Sequence, residues 1–277
     1  MNKKRLAVTL QAKHDAAYRT DYHNKLRGVV GAGLVDSQFS GEHDKNRSLG
    51  LCFSGLIPWG DLCAGDTRTL LIAATREGVL IEIATHLKEN PQVNIGEMQL
   101  EVVGMEERQV DVGPVGTRGT IETDTGVLVR LTHDECEAHG IEPEGNSRVM
   151  WQRKHPVSAF RSKVTDTLDT HWKQLGSSPN GPSPADLYEP LFESTSLMKD
   201  YAIKLKVSKQ KRLTLILSKW TFEYTVQSPA HRDVLNFALA SGIGAKNGYG
   251  LGFISISEKT QPSALAANHA TESTGIQ

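Results

Sequence analysis

Cysteine is scarce in this chain. Only three occur in 277 residues, Cys52, Cys63 and Cys136. They show no C-x-x-C spacing and an odd number cannot pair fully, so a disulfide framework is excluded and a reducing cytoplasm is the expected compartment. Long apolar runs are missing too. The run from Leu6 to Leu10 is too short for the core of a signal peptide and reads as a first strand, and no stretch approaches membrane-spanning length. A dominant charge sign is also absent: 31 Lys and Arg oppose 32 Asp and Glu, for a net charge of −1. The molecule as a whole therefore has no basic field to draw in nucleic acid, and any such binding must be local.

What is present fits two small domains. Apolar residues make up 38% and charged residues 23%, so each half can bury a core and no bulk disorder is expected. Charge is distributed unevenly. Glu97, Glu101, Glu106 and Glu107 face the single Arg108 over one stretch, whereas Lys204, Lys206, Lys209, Lys211 and Arg212 crowd "KLKVSKQKR" against only Asp200. Strand alternation puts Lys204 and Lys206 on one face. Two readings stay open: a phosphate-binding patch, or lysines that keep an exposed strand edge from aggregating.

The order of elements repeats. "RLAVTLQA" alternates as a strand, and Ala17, Tyr18, Tyr22, Leu26, Val29 and Val30 form a helical stripe. "SLGLCFSGLIP" and "DTRTLLIAA" follow as strands, "TREGVLIEIATHLKENP" as a helix capped by Thr75, and "VNIGEMQLEVVGMEE" as a closing strand. Beyond Gly116 the same order returns: "RGTIETDTGVLVRLT", a helix over "HPVSAFRSKVTDTLDTHWKQL", strands "DYAIKLKVS" and "RLTLILSKWTFEYTVQ", a helix over "PAHRDVLNFALAS", and "GLGFISIS". Two βαββαβ units predict an α+β chain of tandem ferredoxin-like domains, the arrangement of RNA-recognition modules. Residues 1–115 form the first unit, 116–258 the second, and 259–277 a disordered tail.

"GIGAKNGYGLG", residues 242–252, links the last helix to the last strand. A dinucleotide fingerprint is excluded because the residue three beyond Gly244 is Asn247 and a strand follows; a Walker loop is excluded because Asn247 follows Lys246. Asn247-Gly248 alone is a turn signal. The spacing of Gly242, Gly244, Gly248, Gly250 and Gly252 also permits backbone amides to approach phosphates, with Lys246 adding charge and Asn247 a side-chain amide.

This stretch resembles the C-terminal glycine-rich signature of the RAMP superfamily, specifically the CRISPR-associated endoribonucleases that cut precursor CRISPR RNA within each repeat. "LRGVVGAGLVDSQFSGEHDKNRSLGLCFSGL" is similar to that family's first helix, histidine-bearing segment and next strand. The resemblance spans roughly the first 258 residues in element order. It implies that His43 acts in metal-independent cleavage, with products ending in 2′,3′-cyclic phosphate and 5′-hydroxyl. It implies CRISPR repeat RNA as partner, no cofactor or metal, no membrane, and other CRISPR interference-complex subunits as further partners. Histidine titrates near neutrality and suits proton transfer. Lys45 and Arg47 lie close enough in sequence to neutralise the developing charge. Some members carry a tyrosine late in the first helix where this chain has Gly31; His23 is a second candidate for that role, while Tyr18 and Tyr22 read as core. The alternative is a non-cleaving RAMP-type RNA-binding subunit.

Two further clusters carry bland alternatives. His133, Cys136 and His139 have the look of metal ligands, but Thr132 with Glu135 is also an ordinary capping box. Trp151, Arg153, Lys154 and His155 form either a stacking site for RNA or a helix entrance held by Pro156.

Overall fold

The computed structural model describes residues 3–19, 22–40, 49–143, 148–175, 182–206 and 212–260. The first half runs β1 (Lys3–Ala12), α1 (Tyr22–Val35), β2 (Leu51–Ile57), β3 (Thr67–Ala74), α2 (Glu77–Glu89), β4 (Gln92–Ile95) and β5 (Met98–Val110). They form an antiparallel sheet in the order β2-β3-β1-β5-β4. Strand alternation sends Leu6, Val8 and Leu10 of β1 into a core with Leu26, Val30 and Leu34 of α1 and Val79, Ile83 and Leu87 of α2. The expected closing strand is broken into a hairpin at Gly96, whose φ is +70° and whose α-carbon lies close against Tyr22 and Lys25. Thr75 does not cap α2. Arg76 occupies that position without a side-chain bond, while the Thr75 amide donates to Gly50 O at 2.8 Å.

The second half adds β6 (Arg118–Thr123), β7 (Arg130–Leu131), α3 (His133–Ala138), β8 (Val149–Met150), α4 (Val157–Leu175), β9 (Ser194–Lys206), β10 (Arg212–Thr225), α5 (Pro229–Ser241) and β11 (Ile254–Thr260). Its sheet order, β11-β6-β10-β9, is the ferredoxin-like arrangement, and β2-β3-β1-β5 in the first half matches it. The last strand reaches Thr260, two residues past the expected end. Thr132 and Glu135 do form a reciprocal capping box. Trp151 is buried: its ring meets Trp220 at 5.0 Å and Phe160 at 5.6 Å, and its indole N–H donates to Pro156 O. It therefore holds the entrance of α4 and offers no face to RNA.

The two halves meet through α5. Every residue from Val234 to Ser241 is buried, as expected of a helix enclosed on all sides. Its own core takes one side, and β1, β2 and β3 of the first sheet take another. At this seam Arg5 of β1 is only 5% exposed, and its guanidinium donates to Leu239 O (2.8 Å), Ile254 O (2.5 Å) and Ser255 Oγ (3.0 Å). Ser255 in turn donates to the Asp124 carboxylate, and the Arg5 guanidinium lies 4.4 Å from the centre of the Phe253 ring. A second clamp follows β5. Burial alone would raise the Asp111 carboxyl, but hydrogen bonds from Arg232, Asn236 and the Gly113 amide pull its pKa down to about 2.

The glycine-rich loop crosses the same seam. Gly242, Gly244, Gly250 and Gly252 all have φ between +69° and +77°, where only glycine is unstrained. The loop passes over edge strand β2 so closely that a Cβ on Gly250 would lie 2.3 Å from the Phe53 ring, and one on Gly252 would lie 1.9 Å from Ile243 O. Asn247 staples its base, donating to Ile243 O (3.0 Å) and Leu251 O (3.1 Å). The amides of Ile243, Ala245, Gly250 and Gly252 are all bonded inward. Gly248, by contrast, is exposed, and an added Cβ there meets nothing within 4 Å. Gly252→Ala should therefore destabilise the protein by about 2–4 kcal/mol through backbone strain and overpacking. Gly248→Ala should stay within about 0.5 kcal/mol of wild type. Denaturant unfolding of the two variants reads the difference; equal midpoints would show that the loop is not packed as described.

Candidate nucleic-acid interface

Where the loop emerges on the far side of β2, a cleft of about 610 Å³ opens between the two halves. Helix α1 contributes Arg27 and Gly31, and Leu49 and Leu51 form part of the floor. From the second half come Arg130 of β7, Arg148 just before β8, and Thr170, His171 and Gln174 of α4. The loop tip, Lys246 to Tyr249, closes the rim. Packing of Val164, Leu168 and Trp172 into the second core sets the rotation of α4, and its last residue, Leu175, packs near Gly50 at the start of β2. The cleft wall is thus built from six separate segments.

Its electrostatics set it apart from the rest of the surface. The lining carries, among the described residues, four cations, Arg27, Arg130, Arg148 and Lys246, and no carboxylate. Among the described residues none of the four has an ion pair. Elsewhere cations are routinely matched: Lys4 with Glu77 and Glu107, Lys13 with Glu101, Lys163 with Glu135, Lys173 with Asp169 and Arg232 with Asp111. The acidic stretch noted in the sequence is thereby partly neutralised, for Glu97, Glu101, Glu106 and Glu107 all pair locally. Arg27 and Lys246 both lie over the Tyr249 ring, at 3.8 Å and 4.6 Å from its centre. That fixes an aromatic beside the charges. Clustered, unpaired cations next to an aromatic ring are the surface that a phosphodiester chain with stacking bases fits.

The residues singled out in the sequence fall in several places. Lys246, Asn247 and Gly248 reach the cleft, with Lys246 held in a left-handed conformation (φ 63°, ψ 38°) at the turn. Gly242, Gly244, Gly250 and Gly252 are buried behind it as packing positions. Lys204 is exposed on edge strand β9, where it pairs opposite Thr214, and is not part of the cleft lining. Lys206 pairs opposite Arg212 along the same edge. Lys209 and Lys211 lie outside the described residues, as do His43, Lys45 and Arg47; Leu49, which follows that last segment, lines the cleft. The side chain of His23, in α1, is also outside them. Tyr22 is buried in the first core and Tyr18 packs against it. Nothing in the sequence pattern marked Arg27, Arg130, Arg148, His171 and Tyr249 as a group. They come from distant segments with no local motif, and only Tyr249, inside the glycine-rich stretch, carried any signal.

No family model matches the chain. It is 45% identical over 258 residues to the CRISPR-associated endoribonuclease Cas6 of Haloferax mediterranei, covering 93% of this chain and 95% of that protein. The chain belongs to the Cas6 family. Solved structures share its fold: a CRISPR-associated Cas6 protein at TM-score 0.67 and 13% identity, covering 92% of this chain and all of that one, and a Cas6-related protein from Pyrococcus furiosus at 0.66 and 16%, covering 93% and 99%. A RAMP protein described as binding different RNA substrates matches at 0.65 and 17%, covering 92% and 100%. The tandem ferredoxin-like architecture is thus that of Cas6 and RAMP proteins.

If the cleft of this Cas6 family member binds a phosphodiester backbone, each lost cation should release fewer counterions. Arg130→Gln with Arg148→Gln should lower RNA affinity and flatten the log–log salt dependence by up to about 1.4, at about 0.7 per contact with single-stranded RNA. Lys163→Gln, which removes a cation already paired with Glu135, should leave the slope unchanged. Equal slopes for all three proteins would place the RNA elsewhere.

Proposed function

We propose that this chain binds CRISPR repeat RNA in the basic cleft and cuts precursor CRISPR RNA once per repeat. The observation that carries this reading is the set of four cations that, among the described residues, have no ion pair and no carboxylate beside them in the lining, in a Cas6 family member. Residues 1–115 and 116–258 act as the two units whose apposition makes the cleft. Arg130, Arg148 and Lys246 engage phosphates, and Tyr249, held by Arg27, offers a ring to a base. The three free cysteines, two of them buried, support a cytoplasmic setting.

The cleavage proposed is attack of a ribose 2′-hydroxyl on its own 3′ phosphate. The 2′-oxygen bonds to phosphorus, the 5′-oxygen leaves, and the ends are a 2′,3′-cyclic phosphate and a 5′-hydroxyl. Such a reaction needs proton transfer and positive charge around the phosphorane and no external nucleophile. His43 is proposed to transfer a proton, with Lys45 or Arg47 stabilising the charge. The reaction proposed is metal-independent: side-chain proton transfer and side-chain cations supply what it needs.

Incubation of purified protein with end-labelled repeat RNA in EDTA should give one cut per repeat and a cyclic phosphate end. His43→Ala should slow the cut by roughly 10²–10⁴-fold while repeat binding stays nearly intact. Tight binding without cleavage by the wild type would instead identify a non-cleaving RAMP-type subunit, and wild-type turnover by His43→Ala would remove that residue from the chemistry.

A further inference from the structure

One titratable side chain in the cleft has no part in binding phosphate. His171 projects from α4 into the lining, where no other group among the described residues titrates near neutrality. Neither of its ring nitrogens has a hydrogen-bond partner among the described residues. A structural histidine in the same half looks different. The ring of His231 is buried, its Nδ1 accepts from the Gln227 amide, and its Nε2 meets Leu191 O. His171 is instead half-buried, with both nitrogens unused and a cleft in front of it. Its neighbour Trp172 locks the helix, packing edge-on to Phe237 at 5.0 Å, and Leu175, one turn on, packs near Gly50. On the α1 wall, Gly31 presents no side chain to the cleft.

We infer that the imidazole of His171 accepts the proton of the attacking 2′-hydroxyl, beside a phosphate held by the cleft cations. This inference rests on the cleavage proposed above. In the step, the 2′-O–H proton passes to a ring nitrogen of His171 as the 2′-oxygen bonds to phosphorus. The bond from phosphorus to the 5′-oxygen breaks, and that oxygen takes a proton from solvent or a protonated side chain. His171 then returns its proton to water, and no electrons change hands. Among the described residues, every charge in the lining favours the neutral ring: Arg27 from α1, Arg130 from β7, Arg148 and the loop's Lys246. On its own helix Asp169 is paired with Lys173, which also has Asp186 beside it. Burial lowers the imidazole pKa from its ordinary 6.5, so the accepting form is the resting form at neutral pH. A group that must be deprotonated gives a rate that falls with acid, and a lowered pKa puts that fall below the ordinary imidazole range.

The test is the pH profile of kcat/KM, which reports the free enzyme, measured from about pH 5 to 8. His171→Ala and the shape-preserving His171→Gln should each slow cleavage by roughly 10²–10³-fold at neutral pH and lose the acid limb that wild type shows. Both should bind a repeat RNA with 2′-deoxyribose at the cut site within about threefold of wild type, which verifies that they fold. Variants that cleave at the wild-type rate, or keep the acid limb, would overturn the assignment, as would a loss of rate matched by an equal loss of affinity. Those failures fall on His171 alone while the wild type still cleaves; a wild type that binds repeat RNA and never cuts it would remove both this inference and the proposed function.

Discussion

The loop of residues 242–252 can run where it does only because four of its residues lack a Cβ. With φ near +70° at Gly242, Gly244, Gly250 and Gly252, the backbone turns tightly enough to pass over edge strand β2 and touch Phe53. That route delivers Lys246 and Tyr249 from the second half to Arg27 on the first helix of the first half. Without it, cations from the two halves would not share one cleft. The burial of Arg5 against Leu239, Ile254 and Ser255 serves the same end. A guanidinium taken out of water is costly unless acceptors meet it; Nη1 and Nη2 of Arg5 find theirs across this seam, while its buried Nε has none among the described residues, so the relative position of the two halves matters to its stability.

Assembling four like charges works against stability, and among the described lining residues no carboxylate offsets them, whereas Lys4, Lys13, Lys163, Lys173 and Arg232 are each paired elsewhere. Fixed like charges that are not neutralised internally attract an external anion, and a polyanion neutralises several at once while releasing its own counterions. That is how a chain of net charge −1 can engage RNA: overall charge sets long-range attraction, whereas affinity comes from the local constellation. The lysine-rich end of β9 and β10 has the more obvious composition in sequence, yet Lys204 lies on an exposed sheet edge away from the cleft lining. There the discouragement of edge pairing is a sufficient role.

Much of the fold was legible because it rests on local periodicity. The alternation in β1, the stripe of α5 and the doubled element order survive in the structure, and the stripe of α1 holds from Tyr22 onward, with Ala17 and Tyr18 ahead of the helix; the turn at Gly96–Glu97 and the cap of α2 were misread, and the last strand runs on to Thr260. The site was legible only where it is contiguous. The glycine-rich stretch announced a special backbone, but Gly242, Gly244, Gly250 and Gly252 are packing positions while Gly248 reaches the cleft, and the amides of Gly252 and Ala245, bonded to Gly126 O and Leu128 O, are not free to meet phosphates. Arg130, Arg148 and His171 could not be singled out because their meaning comes from tertiary approach: each sits in an unremarkable strand, loop or helix until the two halves close.

The central claim is that the RNA lies in this cleft and not on either open sheet edge. Photo-crosslinking of a non-cleavable repeat RNA, carrying 2′-deoxyribose at the cut site and thiouridine substitutions nearby, followed by peptide mapping, tests it most directly. The account predicts adducts in peptides containing Arg27, His171 and Tyr249. Adducts confined to the β9–β10 edge around Lys204, with none in the cleft, would contradict it.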